Sequence, residues 1–337
     1  MTKHHRKSHH DKTYSIKKKK KNINEKHRLL QYRTGMLNLM KGCLLPRIEK
    51  HTKECLEKTM NKPILASIFP LKDSVKVRVS VGSHLEVCRG DKRVYHPSLT
   101  MNVDVPVGSC LLFYRDLTVH SGGPSNPSED KCTRLFTVYA PTDTSVFYEK
   151  KNSPRNVEPC CGGEKNCEKC KLVNEFKQKM GGRLFINLED TLPETKIGAL
   201  IYDYDLEDHG FCILNVFNPK KTKKGIVNSI EKLEDEGSKI KFTKMGQEED
   251  TKKYKGKRMM ADIGMALNIE QKLKENINGD TDTFIQTNNS VIEEWLKKKF
   301  NVKYVKKVMT ILTNRGKVGY QNLHLDYFSR CNCGDEK

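Results

Sequence analysis

The chain has 337 residues, with 62 Lys and Arg against 42 Asp and Glu, for a formal net charge of +20. Its mean hydropathy of −0.69 is low for a wholly globular chain, so part of it should stay solvated while the rest is long enough to bury a substantial core. No apolar run approaches the ~18 residues of a membrane span and no secretory leader is visible, which predicts a soluble, intracellular protein, cytoplasmic or nuclear, without a membrane partner. In that compartment its twelve cysteines are expected to be reduced thiols or metal ligands rather than a disulfide framework.

Residues 1–28 carry eleven Lys and Arg against Asp11 and Glu25, and five histidines as well. This stretch has no apolar periodicity and is expected to be a disordered basic tail. Three roles stay open for it: a solvated appendage, a nuclear-import signal around Lys17–Lys21, or an electrostatic grip on nucleic acid or another polyanion. Residues 29–60 read as helical on both sides of Pro46. Residues 63–148 turn strand-rich, with PILASIFPL, VKVRVSVGSHLEV, GSCLLFYRDLTV and TRLFTVYAP separated by turns at Gly82-Ser83, Gly108 and Gly122-Gly123-Pro124. Residues 149–182 form a connector rich in Cys, Gly and Lys. In 183–337, GFCILNVF reads as a strand and NPKKTKKGIVNSIEKLEDE as a helix opened by Asn218 and Pro219. SVIEEWLKKKFNVKYVKKVMTIL gives more helix, with Trp295 as a core anchor, and then a strand into Gly316, and GYQNLHLDYF is the last strand.

In that last strand His324 and Asp326 alternate with Leu323, Leu325 and Tyr327, which puts both potential metal ligands on one face and calls for a third. His120 ends an earlier strand, the small-residue turn SGGPSNPS follows it, and the next strand carries Arg134.

This combination resembles the Fe(II)/2-oxoglutarate dioxygenases, and the phytanoyl-CoA dioxygenase-like branch most of all. The distal motif of that branch is similar to Gly108, Phe113, His120, Ser121-Gly122-Gly123, Asn126-Pro127-Ser128 and Arg134. Its Gly-Ser-His turn is similar to Gly82-Ser83-His84, and its opening segment to LEDHGFCILNVFNPKK. The order differs: residues 29–148 resemble the distal half of the barrel, and residues 183–337 the opening half with the H-x-D strand. Circular permutation gives this order; so would a fragment of a tandem array, or a misassembled gene. The resemblance implies a mainly β (α+β) fold, a double-stranded β-helix or cupin-like jelly roll with packed helices.

It also implies the chemistry. Two imidazoles and one carboxylate leave open positions on a non-haem Fe(II) ion, so His324, Asp326 and His120 become the expected iron ligands and catalytic centre. Arg134 becomes the anchor for the far carboxylate of 2-oxoglutarate, a task suited to a planar guanidinium. The interval from His120 to Arg134 is longer than the family's, which keeps Lys131 and Arg115 as alternative anchors. The implied activity is oxidative decarboxylation of 2-oxoglutarate coupled to hydroxylation of a substrate, anionic if the charge is a guide. A non-catalytic basic module that holds nucleic acid is the competing reading.

The connector sequence EPCCGGEKNCEKCK suggests a separate metal site. Cys161, Cys167 and Cys170 could bind zinc, with Cys160, Cys331 or Cys333 as fourth ligand; a flexible reduced loop is the alternative. His84 and His96 read as structural, and Cys43, Cys88, Cys110 and Cys212 as core residues. Residues 240–290, where a substrate pocket would be lined, contain no recognisable motif.

Overall fold

The computed structural model describes residues 62–71, 73–86, 88–89, 92–124, 131–144, 157–160, 167–179, 197–200, 204–216, 242–244, 256–265 and 279–326. The basic tail, the helices expected at 29–60 and after Asn218, and Cys43, Cys161, Cys331 and Cys333 lie outside them, as do the side chains of Cys88 and Lys131.

The fold is mainly β with antiparallel sheets. The larger sheet has seven strands, in spatial order β10 (Phe211–Asn215), β6 (Ser109–Tyr114), β1 (Leu65–Pro70), β8 (Lys131–Pro141), β13 (Tyr304–Arg315), β12 (Lys257–Met265) and β11 (Thr243–Lys244). It therefore interleaves strands from both ends of the sequence: β10 pairs with β6, and β13 with β8. A smaller sheet runs β5 (Thr100–Val105), β2 (Val75–Ser80), β7 (His120–Gly122). A third joins β3 (Cys88–Arg89), β4 (Lys92–Tyr95) and β9 (Val157–Pro159), the last pair parallel.

Burial patterns explain the layering. In β2, Val75, Val77 and Val79 are buried while Lys76 is exposed, the period-two pattern of a strand with one covered face. Those valines pack with Leu111, Phe113, Val138 and Ile213 of the larger sheet in one core between the sheets. In contrast, β6 is buried at every position because both its faces are covered. On the far side Cys110, Leu112 and Tyr114 meet Ile292 and Leu296 of helix α3 (Gly279–Phe300), with Trp295 packed against the cluster. Each fully buried aliphatic or aromatic side chain of this kind contributes roughly 1.5–3 kcal/mol. Cys110 and Cys212 are buried here as ordinary core residues.

Two local outcomes differ from the sequence reading. The connector is not all loop, since it supplies β9 and helix α1 (Glu168–Lys179), whose Val173 enters the core between the sheets. The last strand is not continuous either. Gln321 and His324 make single bridging contacts, and no ladder runs through residues 319–326.

The Gly82-Ser83-His84 turn locks the two chain segments together. Gly82 N–H donates to His209 O at the end of helix α2 (Leu206–His209), and Ser83 Oγ accepts from Val119 N–H. The buried His84 ring hydrogen-bonds Glu207 O through Nε2 at 2.7 Å and stacks on Tyr114. Burial lowers its pKa to about 4, which keeps the ring neutral in this structural role. Gly210 makes room for it: its φ is +84°, and a Cβ there would lie 2.5 Å from His84 Nδ1. Gly210→Ala should therefore cost about 2 kcal/mol or more, from left-handed strain plus the clash with the ring. Urea denaturation measures it; an unchanged midpoint would contradict this account of the turn.

Candidate metal centre

The site begins with backbone geometry. His120 N–H donates to His324 O at 3.0 Å and His324 N–H to His120 O at 2.9 Å. Such a reciprocal pair sets two residues directly opposite each other with side chains on the same face. The two rings stand 4.8 Å apart between centroids. Each ring is then oriented by a carbonyl two residues upstream: His120 Nδ1 meets Thr118 O at 3.0 Å, and His324 Nδ1 meets Asn322 O at 2.7 Å. Since a carbonyl only accepts, each Nδ1 must carry the proton, and both Nε2 lone pairs are left for the site.

Asp326 completes the set. Its Oδ1 lies 3.5 Å from His120 Nε2 and 3.7 Å from His324 Nε2. Ligand atoms at right angles around one ion, each ~2.1 Å from it, stand about 3 Å apart, so the three atoms are slightly wider than a loaded octahedral face. Oδ2 of Asp326 makes no hydrogen bond among the described residues. Burial opposes a charge on His120, but the Asp326 carboxylate outweighs it and raises the His120 pKa. Burial and then the neighbouring His120 push His324 down to about 4. For Asp326, burial pulls upward, and His120 with His324 overcomes it to leave the carboxyl below its ordinary range. The donor set of two neutral-capable imidazoles and one carboxylate fits a divalent transition metal.

The next residue on the same face of β7 is Gly122, ~6.7 Å along the strand from His120. Its missing side chain lets three polar groups close in on the backbone. A Cβ on Gly122 would sit 2.3 Å from Arg258 Nη1, 2.6 Å from Gln321 Oε1 and 3.2 Å from Arg134 Nη2. Arg134 reaches this point from β8 and Arg258 from β12. They pair in register with Leu312 and Asn314, which lie on one face of β13, so the two guanidiniums flank that strand on the same side. Both are buried. Arg258 Nη2 donates to Gly123 O and Gly319 O, and Gln321 Oε1 accepts from Gly122 N–H, 199 positions away in sequence. Arg78 ties the rim together by donating to Ser121 Oγ and Gln321 O.

His120, His324 and Asp326 thus come together, and Arg134 reaches Gly122, two residues along β7 from His120. Arg115, the alternative anchor, is ion-paired to Asp116 at 2.6 Å and adds to the positive charge that Asp326 feels. Arg258 and Gln321 went unrecognised in the sequence. Arg258 sits in the motif-free stretch and is one of 62 Lys and Arg, so composition gave it no distinction.

A second cluster, His96, Cys160, Cys167 and Cys170, also has donor atoms within 4.8 Å of one another. His96, read from sequence as structural, is therefore placed among potential metal ligands, beside Cys167 and Cys170 and the Cys160 expected as a possible fourth; Cys161 lies outside the described residues. Among the described residues no helix is long and apolar enough to cross a membrane. Compared with family models, with curated proteins and with solved structures, the chain matches none.

Mn(II), a redox-quiet probe, should bind the His120–His324–Asp326 set, and Asp326→Ala should weaken that binding by about 100-fold or more, since even outer-shell changes cost 10–100-fold. Titration followed by electron paramagnetic resonance checks this. Equal affinity in the variant would remove Asp326 from the site.

Proposed function

We propose that the chain is a non-haem Fe(II)- and 2-oxoglutarate-dependent dioxygenase that hydroxylates its substrate. The observation that carries this reading is one strand, β7, with His120 of a possible metal-binding triad at one position and Gly122, closely approached by two buried guanidiniums, two residues on. A five-carbon dicarboxylate is ~5 Å between its carboxyl carbons, which suits the ~6.7 Å step between those two positions.

In this reading His120, His324 and Asp326 hold the iron. Arg134 and Arg258 together bind the far carboxylate of 2-oxoglutarate, and Gln321 helps shape the slot. With both groups bound, the site would supply oxidative decarboxylation of 2-oxoglutarate coupled to oxidation of an unactivated C–H bond. The protein's own contribution is positional. Thr118 and Asn322 carbonyls fix the ring tautomers, and Phe113, 4.3 Å from His120 between ring centroids, walls the metal side from water. The sheets are read as the two halves of a double-stranded β-helix in permuted order. Its support is that β10 and His324, from the C-terminal part of the sequence, pair with β6 and His120 from the N-terminal part. The net charge of +20 favours an anionic substrate.

The test is succinate release on incubation with Fe(II), ascorbate and 2-oxoglutarate, including turnover uncoupled from substrate. Arg134→Met and Arg258→Met should each raise the KM for 2-oxoglutarate by about tenfold or more, as expected for losing a charge-assisted hydrogen bond. Absence of any iron-dependent succinate would favour a non-catalytic binding module. An unchanged KM in Arg258→Met would remove that residue from the slot.

A further inference from the structure

The second cluster lies apart from the triad and is built from different chemistry. Cys160 follows β9, Cys167 precedes helix α1, Cys170 lies in its first turn, and His96 follows β4. Cys160 Sγ and Cys170 Sγ are 3.4 Å apart, and His96 Nδ1 is 3.7 Å from the sulfurs of both Cys167 and Cys170. A tetrahedral zinc with Zn–S of 2.3 Å requires sulfur–sulfur separations of ~3.8 Å. The cysteines are free thiols, and 3.4 Å is far beyond the ~2.05 Å of a disulfide bond.

A separate observation points to a metal. The far nitrogen of His96, Nε2, lies 3.0 Å from Glu86 Oε1, and Lys169 Nζ meets the same oxygen at 3.0 Å. A largely buried carboxylate thus accepts the Nε2 proton and leaves the Nδ1 lone pair directed at the three sulfurs. This is the carboxylate–histidine arrangement that orients metal-ligating imidazoles. Surface cysteines gathered by chance have no need of it.

We propose that His96, Cys160, Cys167 and Cys170 form a closed Cys3His zinc site with a structural role. Four protein ligands leave no open position for catalysis, and thiolates select zinc over the hard cations. The ion would join three segments, β4, β9 and α1, which otherwise meet through short contacts. It would hold α1 in place, with Val173 in the core between the sheets. It would also brace the Gly82-Ser83-His84 turn, because Glu86 closes that turn and Arg93 Nη1 donates to Glu86 O at 2.7 Å. Ser83 in turn holds Val119, the neighbour of His120. The zinc site thus supports the strand that carries the first ligand of the other centre.

Elemental analysis of the full chain, purified under reducing conditions, should find one zinc per chain. Replacing it with Co(II) should give the intense sulfur-to-cobalt charge-transfer bands of thiolate ligation, which the His120–His324–Asp326 set has no sulfur to produce. Cys167→Ser and Cys170→Ser should each lower zinc below stoichiometry, Glu86→Gln should weaken zinc affinity about 10- to 100-fold, and Cys110→Ser should change neither readout. Cobalt spectra without thiolate bands, or a Cys160–Cys170 disulfide that persists in the reduced, metal-replete protein, would overturn the assignment. These readouts need no turnover, so they stand or fall independently of the dioxygenase reading.

Discussion

Two backbone hydrogen bonds between His120 and His324 hold the candidate metal centre together. They bring one residue from the N-terminal half of the sequence face to face with one close to its C-terminal end, in the geometry that aligns side chains on one face. Asp326 follows because side chains alternate along an extended segment. The tautomers follow because the nearest acceptors, Thr118 O and Asn322 O, are carbonyls. A shift of one residue in this pairing would turn His324 to the opposite face and dismantle the set. Gln321, bonded to Gly122 from both directions, pins that register.

The other half of the site is a problem in charge. Two guanidiniums from β8 and β12 converge on Gly122, which has no side chain in their way, in a buried environment where like charges repel strongly. Carbonyls of Gly123 and Gly319 offset part of that cost for Arg258. In the proposed reading a dianionic ligand would relieve it further, with one end at the metal and the other at both arginines.

Much of this was legible in the sequence, for identifiable reasons. The His-x-Asp alternation reads directly as a shared face, and the strand-rich patterns at 63–148 and the helix before Asn301 became elements close to where their periodicity put them. Arg134 was legible only beside the turn that follows His120. Arg258 was not, because a strand position on a neighbouring ladder depends on the register of β12 against β13, which no local pattern encodes. His96 was hidden for a similar reason. Its place in the cluster depends on β4 pairing with the residues before Cys160, which brings Cys160 beside it. The last segment read as a full strand from its alternation, yet it makes only single bridges; the backbone leaves the sheet after Arg315 at the left-handed Gly316, and the Gly319 carbonyl then turns to Arg258.

The central claim is that one site holds Fe(II) and 2-oxoglutarate together. Anaerobic addition of 2-oxoglutarate to the Fe(II)-loaded protein tests it most directly, by visible absorption. Chelation through the keto-acid end should produce a metal-to-ligand charge-transfer band that requires both components and is lost in Asp326→Ala. A protein that binds Fe(II) at this triad but develops no such band with saturating 2-oxoglutarate would contradict the account.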